Sequence, residues 1–165
     1  MKSLYLIRHA KSSWATASLS DFERPLKSRG LSDATLMGKI LFKKSLTIDL
    51  IRSSPANRAI STARLIAQEI KYPLDEIQTV KKMYHATMDD LLSIIYFEND
   101  EYDNVALFGH NPTFTDLSNY FTNAQIMNVP TTGIVAITFD TQNWGEVSPQ
   151  NASLKFFEYP KLYHS

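Results

Sequence analysis

Four short apolar runs, Leu4–Ile7, Leu50–Ile51, Val105–Phe108 and Ile134–Phe139, are separated by stretches whose apolar residues recur every three or four positions. Short apolar runs bounded by polar or turn residues have the pattern of buried strands. Ala59, Ile60, Ala63, Ile66, Ala67 and Ile70 line one side of a helix and leave Arg64, Gln68 and Lys71 in water. Ala34, Met37, Ile40 and Leu41 mark an earlier helix, and Leu91, Leu92 and Ile95 a later one. Strands alternating with amphipathic helices specify an α/β domain, a three-layer sandwich with a mostly parallel central sheet and helices on both faces. Beyond Pro130 the rhythm changes. Ile134–Phe139, Trp144 and Leu154–Tyr159 read as successive strands with no helix between them, which predicts an antiparallel edge. Ser12–Asp33 reads as the one long loop.

The 165 residues are enough for one domain with a real core and too few for two, so a single domain spanning residues 1–165 is expected. Hydrophobic residues at 44% and charged residues at 21% exclude disordered and collagen-like classes. Lys plus Arg and Asp plus Glu both number 17, so no basic field exists to hold nucleic acid or an anionic membrane, and any anion must be caught locally. The absence of cysteine removes disulfides, thiolate nucleophiles and Cys-based zinc sites. The opening MKSLYLI is too short in apolar residues for a signal-peptide core, and no run reaches membrane-spanning length. A cytoplasmic protein, monomeric or weakly dimeric, is the expectation.

Arg8 and His9 directly follow the first apolar strand, and Gly109, His110, Asn111 and Pro112 form the turn that leaves the third. Strand carboxyl ends are where open α/β sheets bind ligands. A third such end is LIRSSPANRAISTA, where Arg52 leaves the strand and Arg58 falls in the first turns of the following helix. Two imidazoles and several guanidiniums at strand ends suit a tetrahedral dianion better than a metal, because the guanidinium fork donates two parallel hydrogen bonds and stays charged. A neutral imidazole nitrogen is a competent nucleophile, and fixed cations can replace Mg²⁺ in phosphoryl transfer, so no cofactor and no metal are expected. Arg29 and Arg64 read as solvated surface residues.

The string LIRHAKSSW resembles the Arg-His motif that opens histidine phosphatases. DFERPLKSRG, SSPANRAISTA, FGHNPT and VPTTG resemble successive motifs of the SixA-like phosphohistidine phosphatase group. The similarity runs from Leu4 to the closing FFEYPKL, and Ala10, where most of the superfamily has Gly, points to that branch. The resemblance implies a phosphoglycerate-mutase-like fold, with His9 the phosphoacceptor, His110 the second active-site histidine, and Arg8 and Arg58 the phosphate clamp. By the same resemblance Arg24 of the ERPL string is expected as a further phosphate- or substrate-facing residue, and Asn111 joins the candidate binding set. Many larger members carry a glutamate that protonates the leaving group. In KKMYHATMDDLL that place holds His85, a candidate acid, while Asp89 and Asp90 read as helix-start charges.

The reading is therefore hydrolysis of a phosphoryl group through phospho-His9. The substrate class is phosphohistidine, and the expected partner is a phosphohistidine-bearing signalling protein. The alternatives are a general small-molecule phosphomonoesterase and a domain that binds phosphorylated ligands without turnover. A metal hydrolase using His9, His85 and His110 lacks a spaced ligand signature. A mutase lacks the chain length for the insertions that enclose a sugar phosphate.

Overall fold

The computed structural model describes residues 1–164. Six strands, β1 (Lys2–Arg8), β2 (Leu50–Ser53), β3 (Gln78–Thr79), β4 (Asn104–Gly109), β5 (Ile134–Phe139) and β6 (Ala152–Glu158), form one sheet in the order β3-β2-β4-β1-β5-β6. β3, β2, β4 and β1 run parallel, β5 lies antiparallel on β1, and β6 pairs antiparallel with β5. The fold is the α/β sandwich expected from the alternation, and the antiparallel pair closes one side of its sheet.

Four helices cover the sheet: α1 (Ser28–Lys43), α2 (Asn57–Glu69), α3 (Met88–Tyr96) and α4 (Thr113–Thr122). Successive strand residues face opposite sides. Leu4 and Leu6 of β1 therefore enter a core with Leu91 and Ile95 of α3 and Phe114, Leu117 and Phe121 of α4. Tyr5 and Ile7 enter the other core, with Met37, Ile40 and Leu41 of α1 and Ala63, Ile66 and Ala67 of α2. This is the physical content of the three layers. No helix among the described residues is long and apolar enough to cross a membrane.

Several local expectations need correction. The stretch read as loop to Asp33 becomes helical at Ser28, because α1 begins before its apolar stripe does. Gly30 allows the early start: a Cβ there would lie 2.2 Å from the carbonyl oxygen of Lys11, so only glycine lets the helix pack onto the segment just past His9. Trp144 is not in a strand. It opens a 3-10 turn, Trp144–Glu146, with its indole buried and Nε1 donating to the Tyr102 carbonyl at 2.7 Å. α4 is an addition to the helices expected from the apolar stripes, although Phe114, Leu117 and Phe121 have helical spacing, and β3 is too short to leave a pattern. Asp89 and Asp90 do lie in the first turn of α3, where Asp90 completes a capping box with Thr87.

Gly30→Ala should lose about 1–3 kcal/mol of stability through overpacking against Lys11, read as a lower urea midpoint. An unchanged midpoint would show that the contact is loose.

Candidate active site

Register brings the candidate residues to one rim of the sheet. Arg8 of β1 pairs with Gly109 of β4, and Ser53 of β2 with Phe108 of β4, so His9, Ser54 and His110 each follow strand ends that lie side by side. Backbone bonds fix the first of these residues from both flanks. His9 N–H donates to the Gly109 carbonyl at 3.0 Å, and Thr132 N–H donates to the Arg8 and His9 carbonyls, both at 3.1 Å. Ala10 N–H donates to Thr62 Oγ1 at 2.8 Å, and that hydroxyl donates to the Arg58 carbonyl at 2.7 Å. The segment just past His9 and the helix bearing Arg58 are thus tied together by one threonine.

His9 is 9% exposed. Its Nδ1 lies 2.8 Å from the Ala10 carbonyl oxygen. A carbonyl can only accept, so Nδ1 carries the proton and the neutral ring keeps its lone pair on Nε2. Burial pushes the His9 pKa down to about 4, with Arg58, Arg8 and Arg24 acting in the same direction against the Ala10 hydrogen bond. His110 stands beside it, with ring centroids 5.3 Å apart, and its Nε2 lies 2.8 Å from Ser54 Oγ. Burial, then the neighbouring His9 and Arg58, push the His110 pKa down to about 3. Both rings are neutral at pH 7.

The arginines differ in what they touch. Arg8 Nη1 donates to the Val129 carbonyl at 3.0 Å, while Arg8 Nε has no protein partner. Arg58 donates from Nη1 to the Asp21 carbonyl at 2.8 Å and from Nη2 to Asp21 Oδ2 at 3.1 Å. Arg24 donates to Asp21 Oδ1 at 2.9 Å, to the Ser13 carbonyl at 3.1 Å and to Ser12 Oγ. Its guanidinium lies 3.4 Å from the centre of the exposed Trp14 ring, a cation–π stack. Arg52 faces elsewhere, paired with Glu98 at 2.7 Å. Arg29 pairs with Asp33, and Arg64 is exposed.

Two further candidates occupy supporting places. The Asn111 amide donates to the Val129 carbonyl at 2.8 Å and Asn128 Oδ1 at 3.0 Å, and accepts from the Thr115 amide at 3.2 Å and hydroxyl at 2.9 Å. Its hydrogen-bonding capacity is spent on holding the 128–129 loop against α4. His85 is exposed, at φ 58°, with its ring 4.0 Å from that of Tyr84. The latter ring lies 5.8 Å from the His110 ring. Among the described residues, no group of three His, Asp or Glu side chains is placed to hold a metal.

Asp21, Tyr84 and Thr132 join the site without belonging to the strand-end candidates. Asp21 Oδ2 accepts from Tyr84 Oη at 2.7 Å as well as from Arg58. That hydroxyl, followed by Arg24 and Arg58, holds the Asp21 carboxyl well below the usual carboxylate range. The signal for Asp21 was its place three residues before Arg24 in DFERP. Tyr84, 63 residues from Asp21, left none. Thr132 sits at φ 61°, a strained conformation for a β-branched residue, with its Oγ1 buried and unpartnered. Arg8 Nε, His110 Nδ1 and Thr132 Oγ1 are the three buried, unpartnered side-chain N or O atoms among the described residues, and all three belong to residues around His9. Unsatisfied buried polar groups are rare, and their clustering marks a place built for a polar ligand.

A model of the histidine phosphatase superfamily (branch 1) matches residues 4–106, more than half of the chain. A Mycobacterium tuberculosis protein is 28% identical over 165 residues, covering 94% of this chain and 100% of its own. A chloroplastic protein of Arabidopsis thaliana is 28% identical over 131 residues, 74% of this chain, and the chain spans only 60% of that relative's length. Among solved structures, a SixA protein from Agrobacterium tumefaciens matches with a TM-score of 0.83 at 26% identity, over 96% of this chain and 98% of the other. A protein histidine phosphatase SixA in complex with tungstate shares the fold, with a TM-score of 0.82 at 18% identity over 98% and 99% of the two chains. Since the matched span runs from the strand that ends in Arg8 and leads into His9, through the helix that carries Arg58 and into β4, the chain belongs to the histidine phosphatase superfamily and has the SixA-type fold.

Proposed function

We propose that the chain is a metal-independent phosphatase that hydrolyses phosphohistidine through a covalent phospho-His9 intermediate. The observation that carries this reading is the 2.8 Å contact between His9 Nδ1 and the Ala10 carbonyl, which leaves Nε2 with its lone pair beside Arg8 and Arg58. In the first step Nε2 attacks phosphorus, a new P–N bond forms, and the bond to the leaving group breaks with its electron pair on the departing atom. In the second step water attacks phosphorus, the P–N pair returns to Nε2, and both water protons leave with the product as dihydrogen phosphate. Guanidiniums from Arg8 and Arg58 stabilise the charge on the transferring group, with Arg24 adding to the positive field. His110 assists from the adjoining strand end.

Phosphohistidine fits this site because the leaving group and the nucleophile are the same chemical species. Transfer between two imidazoles is nearly balanced in energy, and a ring already protonated on its distal nitrogen leaves neutral. An alkoxide, by contrast, must be protonated as it departs. The tungstate held by the SixA relative is a tetrahedral oxyanion of the kind this pocket would take. A phosphohistidine-bearing signalling protein in the cytoplasm is the partner this reading calls for. A second reading, a small-molecule phosphomonoesterase, draws on His85, whose ring stacks on Tyr84 near His110 and could act as its acid.

His9→Ala should abolish turnover, and wild type quenched in alkali after exposure to a labelled donor should hold acid-labile label on His9. Label elsewhere, or an active mutant, would overturn the assignment. Arg58→Ala should slow turnover by about a hundredfold or more, with Lys restoring only part, since a point charge cannot reproduce the fork. Phosphohistidine should be the best substrate and alkyl phosphates the worst; the reverse order, with alkyl activity lost in His85→Ala, would select the second reading.

The neutral imidazoles also predict acid sensitivity. His9 and His110 have folded values of about 4 and about 3 against an ordinary 6.5. Between those values the unfolded chain binds more protons than the folded one, so stability present above pH 6.5 is lost progressively as pH falls toward 4. Urea midpoints should drop over that window, and His9→Gln combined with His110→Gln should flatten the drop. An equal slope in the double variant would contradict the neutral-imidazole assignment.

A further inference from the structure

Asp21 places a negative charge in a pocket whose other formal charges are positive. Its side chain is 40% exposed, whereas the Arg58 side chain it binds is 9% exposed. With His9 also 9% exposed, the nucleophile forms the floor and Asp21 stands at the mouth. In phosphoryl transfer the attacking and leaving atoms lie roughly in line across phosphorus. A nucleophile on the floor therefore sends the leaving group out past Asp21.

The bonding of Asp21 leaves room for a further contact. A carboxylate has roughly four acceptor positions. Arg24 occupies one on Oδ1, and Arg58 and Tyr84 occupy two on Oδ2, so one position on Oδ1 remains. The three guanidiniums of Arg8, Arg24 and Arg58 less this one carboxylate leave two positive charges, which match a phosphoryl dianion. The same donors hold Asp21 ionised, so it is unsuited to the role of proton donor.

We propose that Asp21 selects the leaving group: its carboxylate accepts a hydrogen bond from the distal ring N–H of a phosphorylated imidazole and disfavours groups that depart as oxyanions. This rests on the phosphohistidine reading above and names the residue that enforces it. As Nε2 of His9 forms its bond to phosphorus, the old P–N bond breaks and its electron pair becomes the lone pair of the departing nitrogen. The substrate is bound as its phosphoimidazolium form; the proton on the distal nitrogen stays there throughout, shared with Asp21, and the ring, cationic before transfer, leaves as neutral imidazole once the P–N pair has returned to it. No proton changes owner, so the step runs without a general acid. An alkyl ester meets the opposite situation, because negative charge grows on its leaving oxygen next to a fixed carboxylate.

The test compares kcat/KM for phosphohistidine and for an aryl phosphate in wild type, Asp21→Asn and Asp21→Glu, with inorganic phosphate as a competitive inhibitor throughout. Asn keeps an acceptor for the arginines but loses the charge. It should lower the phosphohistidine-to-aryl ratio by at least about tenfold, the scale of one charge-assisted hydrogen bond, while phosphate still inhibits. Glu should restore the ratio. If Asn slowed both substrates alike and left the ratio at the wild-type value, Asp21 would serve only to position the arginines and the inference would fall. Failure of the underlying reading shows separately, in wild type alone, as absence of label on His9 or a preference for alkyl phosphates.

Discussion

β1 is hydrogen-bonded along both edges, to parallel β4 on one side and antiparallel β5 on the other, and the site depends on that placement. A central strand satisfies its backbone completely within the sheet, and its side chains are buried on both faces, so it cannot slip in register without exposing apolar residues. Its carboxyl end then delivers Arg8 and His9 to a fixed point. β4 ends level with it and delivers His110, and β2, paired to β4, delivers Ser54 and the helix that begins just before Arg58. The antiparallel side contributes as well, since the turn before β5 carries Thr132, whose N–H caps the Arg8 and His9 carbonyls. The pocket is the meeting of four chain segments whose heights are set by ladder hydrogen bonds.

Within that frame, electrostatics decides protonation. Three guanidiniums near two buried imidazoles make an imidazolium costly, and the His9 proton that remains is committed to the Ala10 carbonyl. A histidine in that condition presents a lone pair to the pocket at neutral pH without any base to activate it. Asp21 offsets part of the repulsion among the cations by bridging Arg24 and Arg58. Among the described residues, the buried side-chain nitrogen and oxygen atoms left without a partner, on Arg8, His110 and Thr132, cluster around His9. Pairing them would favour stability, so leaving them unpaired comes at some cost to it.

Much of this was written locally in the chain. The apolar runs and helical stripes determined the layers, because burial on two sheet faces and on one helix face imposes periods of two and 3.6 that a sequence displays directly. Arg8, His9, Arg58 and His110 were legible for a related reason: each follows or flanks a strand end, and strand ends in such sheets share one rim. Local signals were weaker where the structure is irregular. α1 begins at Ser28 because Gly30 fits against Lys11, a contact that no residue near it in sequence announces. Trp144 reads as a strand residue until its buried indole is seen to bond the Tyr102 carbonyl.

The sequence by itself determined the sandwich, its antiparallel edge and the histidines and arginines that gather at one rim of the sheet. Only the tertiary structure decided which nitrogen of His9 is free, that Asn111 is spent on the 128–129 loop, and that Asp21 and Tyr84 join the arginines. The reason is physical. Periodicity and strand-end position are properties of neighbouring residues, whereas a tautomer, a depressed pKa or a bridging carboxylate is set by groups tens of residues away that meet only when the sheet and its crossings have formed.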